Sequence, residues 1–172
     1  AYAQIEGNKA VIVEVNSETD FVAKNDEFKN LVNNIASAIL SSNVSTMEEA
    51  MALTVEGKSL ADVIAEKVGT IGEKLSFRRF EIVVKEDSQV FGTYSHMGGK
   101  IIALTVLTAD DELAKDIAMQ VAAMRPLYLN RDVVPAEVVE KERTILREQA
   151  ENEGLDSNKL DMIVNGRVNK YY

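Results

Sequence analysis

The sequence predicts an α+β fold: two related subdomains, each a small antiparallel sheet packed with helices, followed by a protruding antiparallel helical hairpin. Short β-branched runs alternate with segments whose apolar residues recur at helical spacing, which indicates a mixture of strands and helices. A strand hairpin followed by a helix occurs twice. The C-terminal part reads as two polar helices with thin apolar stripes. The predicted divisions are 1–86, 87–134 and 135–172.

The first subdomain is predicted to open with a β-hairpin, because strand-like runs at 1–5 and 10–15 flank a turn at Gly7-Asn8. Asn25 should cap a helix that begins at Asp26 and ends near Leu40. A short helix is predicted at 47–53, and a longer helix is predicted to begin at Ser59 and to be interrupted by Gly69 and Gly72. A strand at 77–85 completes this subdomain.

The second subdomain is predicted to repeat the same theme. Strands at 90–96 and 101–107 flank a turn, and a helix follows at 111–124. Placing Ala1–Gly7 over Thr93–Gly99 aligns both turns, both return strands and both following helices. Spacing predicts that the core stripe of the second helix consists of its large apolar residues: Leu113, Ile117, Val121 and Met124.

The junction after the strand at 11–15 contains the residues that attract most interest. Ser17 and Asp20 have the spacing of a capping box, which predicts a turn from strand into helix there. Phe21 follows directly, and it either staples the helix to the core or anchors a binding partner. The second copy has no aromatic residue at the corresponding Thr108–Asp111. Because a structural staple should be present in both copies, its absence favours binding.

The third part is predicted to be a helical hairpin, a coiled-coil protrusion. Pro135 suits the first position of a helix over 136–152, and Gly154 closes that helix. Ser157 is predicted to cap a second helix that runs to the final tyrosines. The apolar stripe of the first helix is thin and consists of Val138, Val139, Ile145 and Leu146. A helix this polar needs a neighbour to lean on.

Composition restricts the class of protein. A formal net charge of −9 argues against binding to nucleic acid, and Arg78-Arg79 is too small a basic cluster to change that. No apolar run reaches the length of about 20 residues that a membrane span needs, and the first residues lack the basic region of a signal peptide. The absence of cysteine excludes disulfides and thiolate metal sites. We therefore expect a cytoplasmic or organelle-matrix protein.

Residues suited to catalysis are few. His96 is the only histidine, and Ser95 beside it would point to the opposite face of a strand. Gly98-Gly99-Lys100 lacks the further glycine and the hydroxyl residue of a phosphate-binding loop. The acids around residues 14–20 do not have the spacing of a metal loop. The sequence therefore predicts no catalytic, cofactor or metal site, and no enzyme.

The stretch from Glu14 to Lys24, with Thr-Asp-Phe-Val at its centre, closely resembles the signature of elongation factor Ts, the guanine nucleotide exchange factor of elongation factor Tu. The resemblance continues at 25–28, 92–96, 117–123, 136–142 and 164–171. It implies that Thr19, Asp20, Phe21 and Val22 enter the G domain of elongation factor Tu beside its Mg²⁺ site, where Phe21 acts as a wedge. It also implies that the second subdomain holds the partner's distal domain, and it makes His96 a weaker candidate contact.

The resemblance also suggests which part of the family this chain represents. Members begin with a small helical domain that docks on the partner and end with a further segment after the hairpin, so we expect this sequence to be the central dimerisation core. The alternative function is a scaffold or dimerisation module, acting as a homodimer, that has no exchange activity without the N-terminal docking domain. Neither interpretation involves direct contact with nucleic acid or a membrane.

Overall fold

The computed structural model describes all 172 residues. The predicted α+β class is confirmed by seven α-helices and several small antiparallel sheets. The strands are β1 Tyr2–Glu6, β2 Lys9–Asn16, β3 Thr54–Val55, β4 Lys58–Ser59, β5 Ser76–Val84, β6 Val90–His96 and β7 Ile101–Leu107. The helices are α1 Asp20–Lys24, α2 Asp26–Leu40, α3 Met47–Met51, α4 Leu60–Ile71, α5 Asp111–Met124, α6 Ala136–Asn152 and α7 Leu160–Tyr171.

The chain forms two compact units, Ala1–Arg125 and Pro126–Tyr172. The three-part division of the sequence at residues 86 and 134 stays a prediction. None of the helices combines the length and the apolar composition that crossing a membrane requires.

The first sheet has the order β1-β2-β5 and is antiparallel throughout, with the predicted opening hairpin. Alternate residues of β2, Val11, Val13 and Val15, are buried. They belong to one core cluster with the apolar face of α2, as the period of two in a strand and of 3.6 in a helix requires. The start of α2 at Asp26 and its Asn25 cap are confirmed. The end of β2 is therefore held by a packed core.

Between α2 and β5 the structure corrects two details. The helix α4 passes through Gly69 without interruption and ends at Gly72, whose left-handed φ of 80° closes it. Glycine in a helix costs about 1 kcal/mol relative to alanine but does not by itself break the helix, so the prediction that Gly69 interrupts it is wrong. The short β3–β4 hairpin was not predicted, because strands of two residues carry no alternation pattern.

In the second hairpin the bounds of β6, β7 and α5 match the prediction, and the repeated hairpin-plus-helix theme is present. The predicted core stripe of α5 is wrong for three of its four residues; the fourth, Val121, is half-buried against the core of this hairpin. Its large residues Leu113, Ile117 and Met124 are 49%, 37% and 69% exposed, whereas the buried residues are alanines at 114, 118 and 122. A methyl group added at Gly92 of β6 would lie 1.9 Å from the carbonyl oxygen of Ala114, so the helix approaches the sheet too closely for larger side chains.

The second unit pairs α6 with α7 around buried Ala150, Val164 and Val168. Arg147 pairs with Asp161, and Arg167 donates to Glu153 at 2.6 Å. The predicted stripe of α6 is only half-buried, and Ile145 is exposed. The antiparallel, protruding character of this pair stays a prediction.

Two helix starts in the second unit differ slightly from the prediction. Pro135 precedes the first helical residue of α6 instead of being it. Asp156, and not Ser157, caps the short 3₁₀ turn before α7, because its carboxylate accepts from the N–H of Asn158 at 2.9 Å. In both cases the sequence pattern located the helix start to within a residue or a turn.

Candidate partner-binding site at the junction of β2 and α1

The junction consists of the loop after Asn16 and the five-residue helix α1. Its cap is Thr19, whose hydroxyl accepts a hydrogen bond from the N–H of Val22 at 3.4 Å. The predicted capping box at Ser17 is wrong: the Ser17 hydroxyl donates instead to the carbonyl of Thr19 at 2.9 Å. Both residues have cap chemistry, but only Thr19 is placed at the last extended position before the helix, with φ −119° and ψ 158°.

Phe21 projects from this short helix and is 81% exposed. That exposure argues against the staple interpretation, since a staple must pack on the core. The neighbouring Val22 takes the packing role: it is half-buried against the core cluster of the first sheet. The junction therefore presents an aromatic side chain outward from a helix that is itself seated on the core.

The carboxylate of Asp20 forms an ion pair with Lys24, one turn later, at 2.9 Å. The hydrogen bond from Lys24 and its charge hold the pKa of Asp20 below its ordinary value, and Lys100 contributes more weakly from the β6–β7 turn. An acid in the first turn also interacts favourably with the positive end of the helix. Asp20 is thus ionised and remains half-exposed beside Phe21.

The loop between α4 and β5 also holds the junction in place, through hydrogen bonds to Glu73. One oxygen of Glu73 accepts the backbone N–H groups of Glu18 and Thr19 at 3.1 and 3.0 Å, and the other accepts the Thr19 hydroxyl at 2.5 Å. In return, Glu18 accepts the backbone N–H of Lys74 at 3.2 Å. Sequence reasoning missed Glu73, because partners 54 or 55 positions apart leave no local signal.

Glu14 explains the paired arginines of β5. Its carboxylate accepts from Arg78 at 2.8 Å and from Arg79 at 2.6 Å. Partial burial opposes the charge of Glu14, but the hydrogen bonds from Arg78, Arg79 and Asn16 outweigh it and lower its pKa to about 2. Because both arginines form ion pairs with Glu14, they are not a free phosphate-binding pair.

His96, the weaker candidate, lies at the exposed end of β6. Its Nδ1 is 3.4 Å from the Tyr94 hydroxyl, and the two rings stack with centroids 6.0 Å apart. No carboxylate orients it. A groove of about 1260 Å³ lies between the junction and the β6–β7 turn, and its lining includes Asp20 and Lys100 but not His96. No group of three or more His, Cys, Asp or Glu side chains is arranged to hold a metal ion.

The comparison with known families covers this site. The family model described as elongation factor TS matches residues 18–172. The match begins just before the Thr19–Val22 junction and extends through both units to the end of the chain. It covers well over half of the sequence, which includes every element from α1 to α7. The chain therefore belongs to the elongation factor Ts family, the nucleotide exchange factors of elongation factor Tu.

Proposed function

We propose that this chain, acting in the cytoplasm, promotes release of GDP from elongation factor Tu by inserting the Thr19–Val22 junction near the partner's Mg²⁺ and nucleotide site. The observation that carries the proposal is the 81% exposure of Phe21 on a capped helix whose Val22 packs against the core. Large aromatic residues held rigidly on a surface lose little conformational freedom when they bind, and they dominate many interfaces. Phe21 is therefore the wedge.

Asp20 adds charge to the same tip. Its carboxylate is ionised and lies beside the wedge, so it brings a negative charge toward the region where the partner coordinates Mg²⁺ and phosphate. Such a charge disfavours the bound nucleotide by repulsion and competes for cationic groups. The aromatic ring and the carboxylate act together: one displaces structure, and the other weakens the electrostatics that hold the nucleotide.

No catalytic group is needed for this activity. A factor that binds the nucleotide-free state of its partner more tightly than the GDP-bound state must weaken GDP binding by the same ratio, because the two equilibria are linked. Acceleration of GDP release follows when the ternary complex forms and loses GDP faster than the binary complex does. The chain is thus an exchange factor whose entire effect is differential binding.

The second subdomain supplies the other half of the grip, by holding the partner's distal domain. The exposed face of α5 supports this assignment, since Leu113, Ile117 and Met124 offer apolar side chains that its own core does not use. Two contacts on one partner raise the effective concentration of the junction at its target. The insertion step is then intramolecular.

The experiment measures release of fluorescently labelled GDP from elongation factor Tu with increasing amounts of this chain. We expect release to accelerate and then saturate. In parallel, affinity is measured for nucleotide-free and GDP-bound elongation factor Tu, and the ratio should equal the loss of GDP affinity caused by the chain. Equal affinities for the two states would contradict the proposal. Self-association on gel filtration together with no acceleration would instead support the scaffold alternative.

A further inference from the structure

We infer that Glu73 is a positioning residue for nucleotide exchange: it fixes the junction so that Phe21 meets the partner in one orientation. This inference rests on the proposed function. Glu73 does not have to touch the partner, since its carboxylate is occupied by the junction itself. Its contribution would be preorganisation of the wedge before binding.

The contacts constrain the loop in more than one direction. Two successive backbone N–H groups and one hydroxyl converge on a single carboxylate, which limits both the position and the rotation of the segment at Glu18 and Thr19. Hydrogen bonds to a charged acceptor are stronger than those between neutral groups. The Thr19 hydroxyl donates to Glu73 and accepts from Val22, so the same residue joins the carboxylate to the first turn of α1.

Glu73 itself is held on a rigid base. It follows the left-handed closure of α4 at Gly72, where the Gly72 N–H donates to the Val68 carbonyl at 3.0 Å. Two residues later Leu75 is only 6% exposed, and Phe77 is 8% exposed in the core of the first sheet. The backbone at Glu73 is therefore held between the end of α4 and the buried Leu75, and the carboxylate links the junction to this fixed point.

The helix α1 needs this support. It has five residues, none of them buried, and isolated helices of this length are unstable in water. With Glu73 removed, α1 itself is ordered by the half-buried Val22, the local Thr19 cap and the Asp20 to Lys24 pair. The loop before it keeps the Ser17 bond to the Thr19 carbonyl and the single bond from the Lys74 N–H to Glu18. The junction would then sample other conformations, and the cost of ordering it would be added to the exchange step.

The test compares Glu73→Ala with Glu73→Gln in the labelled-GDP assay. We expect Glu73→Ala to lower the maximal exchange rate about tenfold, with a smaller change in the concentration for half-saturation because docking surfaces elsewhere are intact. Glu73→Gln should retain most of the activity. Its side-chain oxygen can accept both backbone N–H groups, and its NH₂ group can donate to the Thr19 hydroxyl.

Glu49→Ala is the matched control. The carboxylate of Glu49 accepts the backbone N–H groups of Ser45 and Thr46 and the Ser45 hydroxyl, so it clasps a loop as Glu73 does, but at the start of α3. The control should lower stability by an amount similar to Glu73→Ala and leave exchange unchanged. An equal loss of exchange in both variants would overturn the inference, because it would reduce the effect to general stability.

Two further readouts test positioning directly. Hydrogen exchange of the Glu18 and Thr19 amides should become faster in Glu73→Ala and stay slow in the control. In a double-mutant cycle, Glu73→Ala should cost little once Phe21→Ala is present, because there is no wedge left to position. Unchanged amide protection, or fully additive losses, would overturn the inference. If the unmodified chain gave no exchange at all, the proposed function would fail, while the amide measurement would still decide whether Glu73 orders the junction.

Discussion

Truncating Phe21 to alanine should abolish most of the exchange activity and leave the fold intact. The ring is 81% exposed and belongs to no core cluster, so its removal creates no cavity in the free protein. We expect the free energy of unfolding of Phe21→Ala to differ from that of the unmodified chain by less than about 0.5 kcal/mol. The Phe21→Ala variant therefore tests exchange activity without changing stability.

The magnitude follows from the exposed area. An aromatic side chain buries roughly 150–250 Å² when it is fully enclosed, and at about 25 cal/mol per Å² this is worth roughly 4–6 kcal/mol before costs. Since 81% of the side chain is available, and binding also costs side-chain ordering and desolvation, we expect a net loss of about 2 kcal/mol or more. That corresponds to a loss of more than about tenfold in the rate of GDP release.

The assay times release of labelled GDP at a fixed, subsaturating concentration of each variant, with urea unfolding as the measure of stability. Val84→Ala is the control, because Val84 is also a large apolar residue on the surface, with 69% of it exposed. It lies at the end of β5, whereas Glu73 and the junction lie near the start of that strand. The wedge mechanism is wrong if Phe21→Ala releases GDP as fast as the unmodified chain. A matching loss in Val84→Ala would also refute it.

Three further predictions concern stability. Because the pKa of Glu14 is lowered to about 2 in the folded state, the stabilisation from its arginine pairs is present above its ordinary value of 4.5 and is lost as the pH falls toward 2; Glu14→Gln should flatten that part of an acid-unfolding curve. Gly92→Ala should lower the free energy of unfolding, measured in urea, by about 2 kcal/mol or more, because the new methyl group meets the Ala114 backbone. At Gly69 the new methyl group meets nothing within 4 Å, so Gly69→Ala should stabilise α4 by about 0.5–1 kcal/mol. A stable Gly92→Ala protein would disprove the close approach of α5.

Local patterns predicted the elements that local interactions determine. The bounds of α2 and α5 followed from the Asn25 cap and from helical periodicity, and the opening hairpin followed from the Gly7-Asn8 turn. These signals work because the interactions that define a helix start or a tight turn join residues only two to four positions apart. The family signature then predicted that the junction residues bind the partner.

Two of the errors have a common cause, since each depends on a distance between segments remote in sequence. The α5 stripe was assigned to large apolar residues, but the close approach of Gly92 to the Ala114 carbonyl selects alanine. Thr19 replaced Ser17 as the cap where Glu73, more than fifty positions away, binds the loop. No spacing within the sequence encodes either contact. The tertiary approach of two segments decided which of several locally acceptable residues took the role.

The junction combines exposure with order, and these two requirements conflict in a helix this short. A side chain that is to enter a partner cannot be buried in its own core, so α1 gives up the packing that normally stabilises a helix. The order must then come from beneath and beside the helix: Val22 packs on the core, Thr19 caps the first turn, and Glu73 binds the loop that leads into it. Loss of any of these supports should therefore reduce exchange without altering the surface of Phe21 itself.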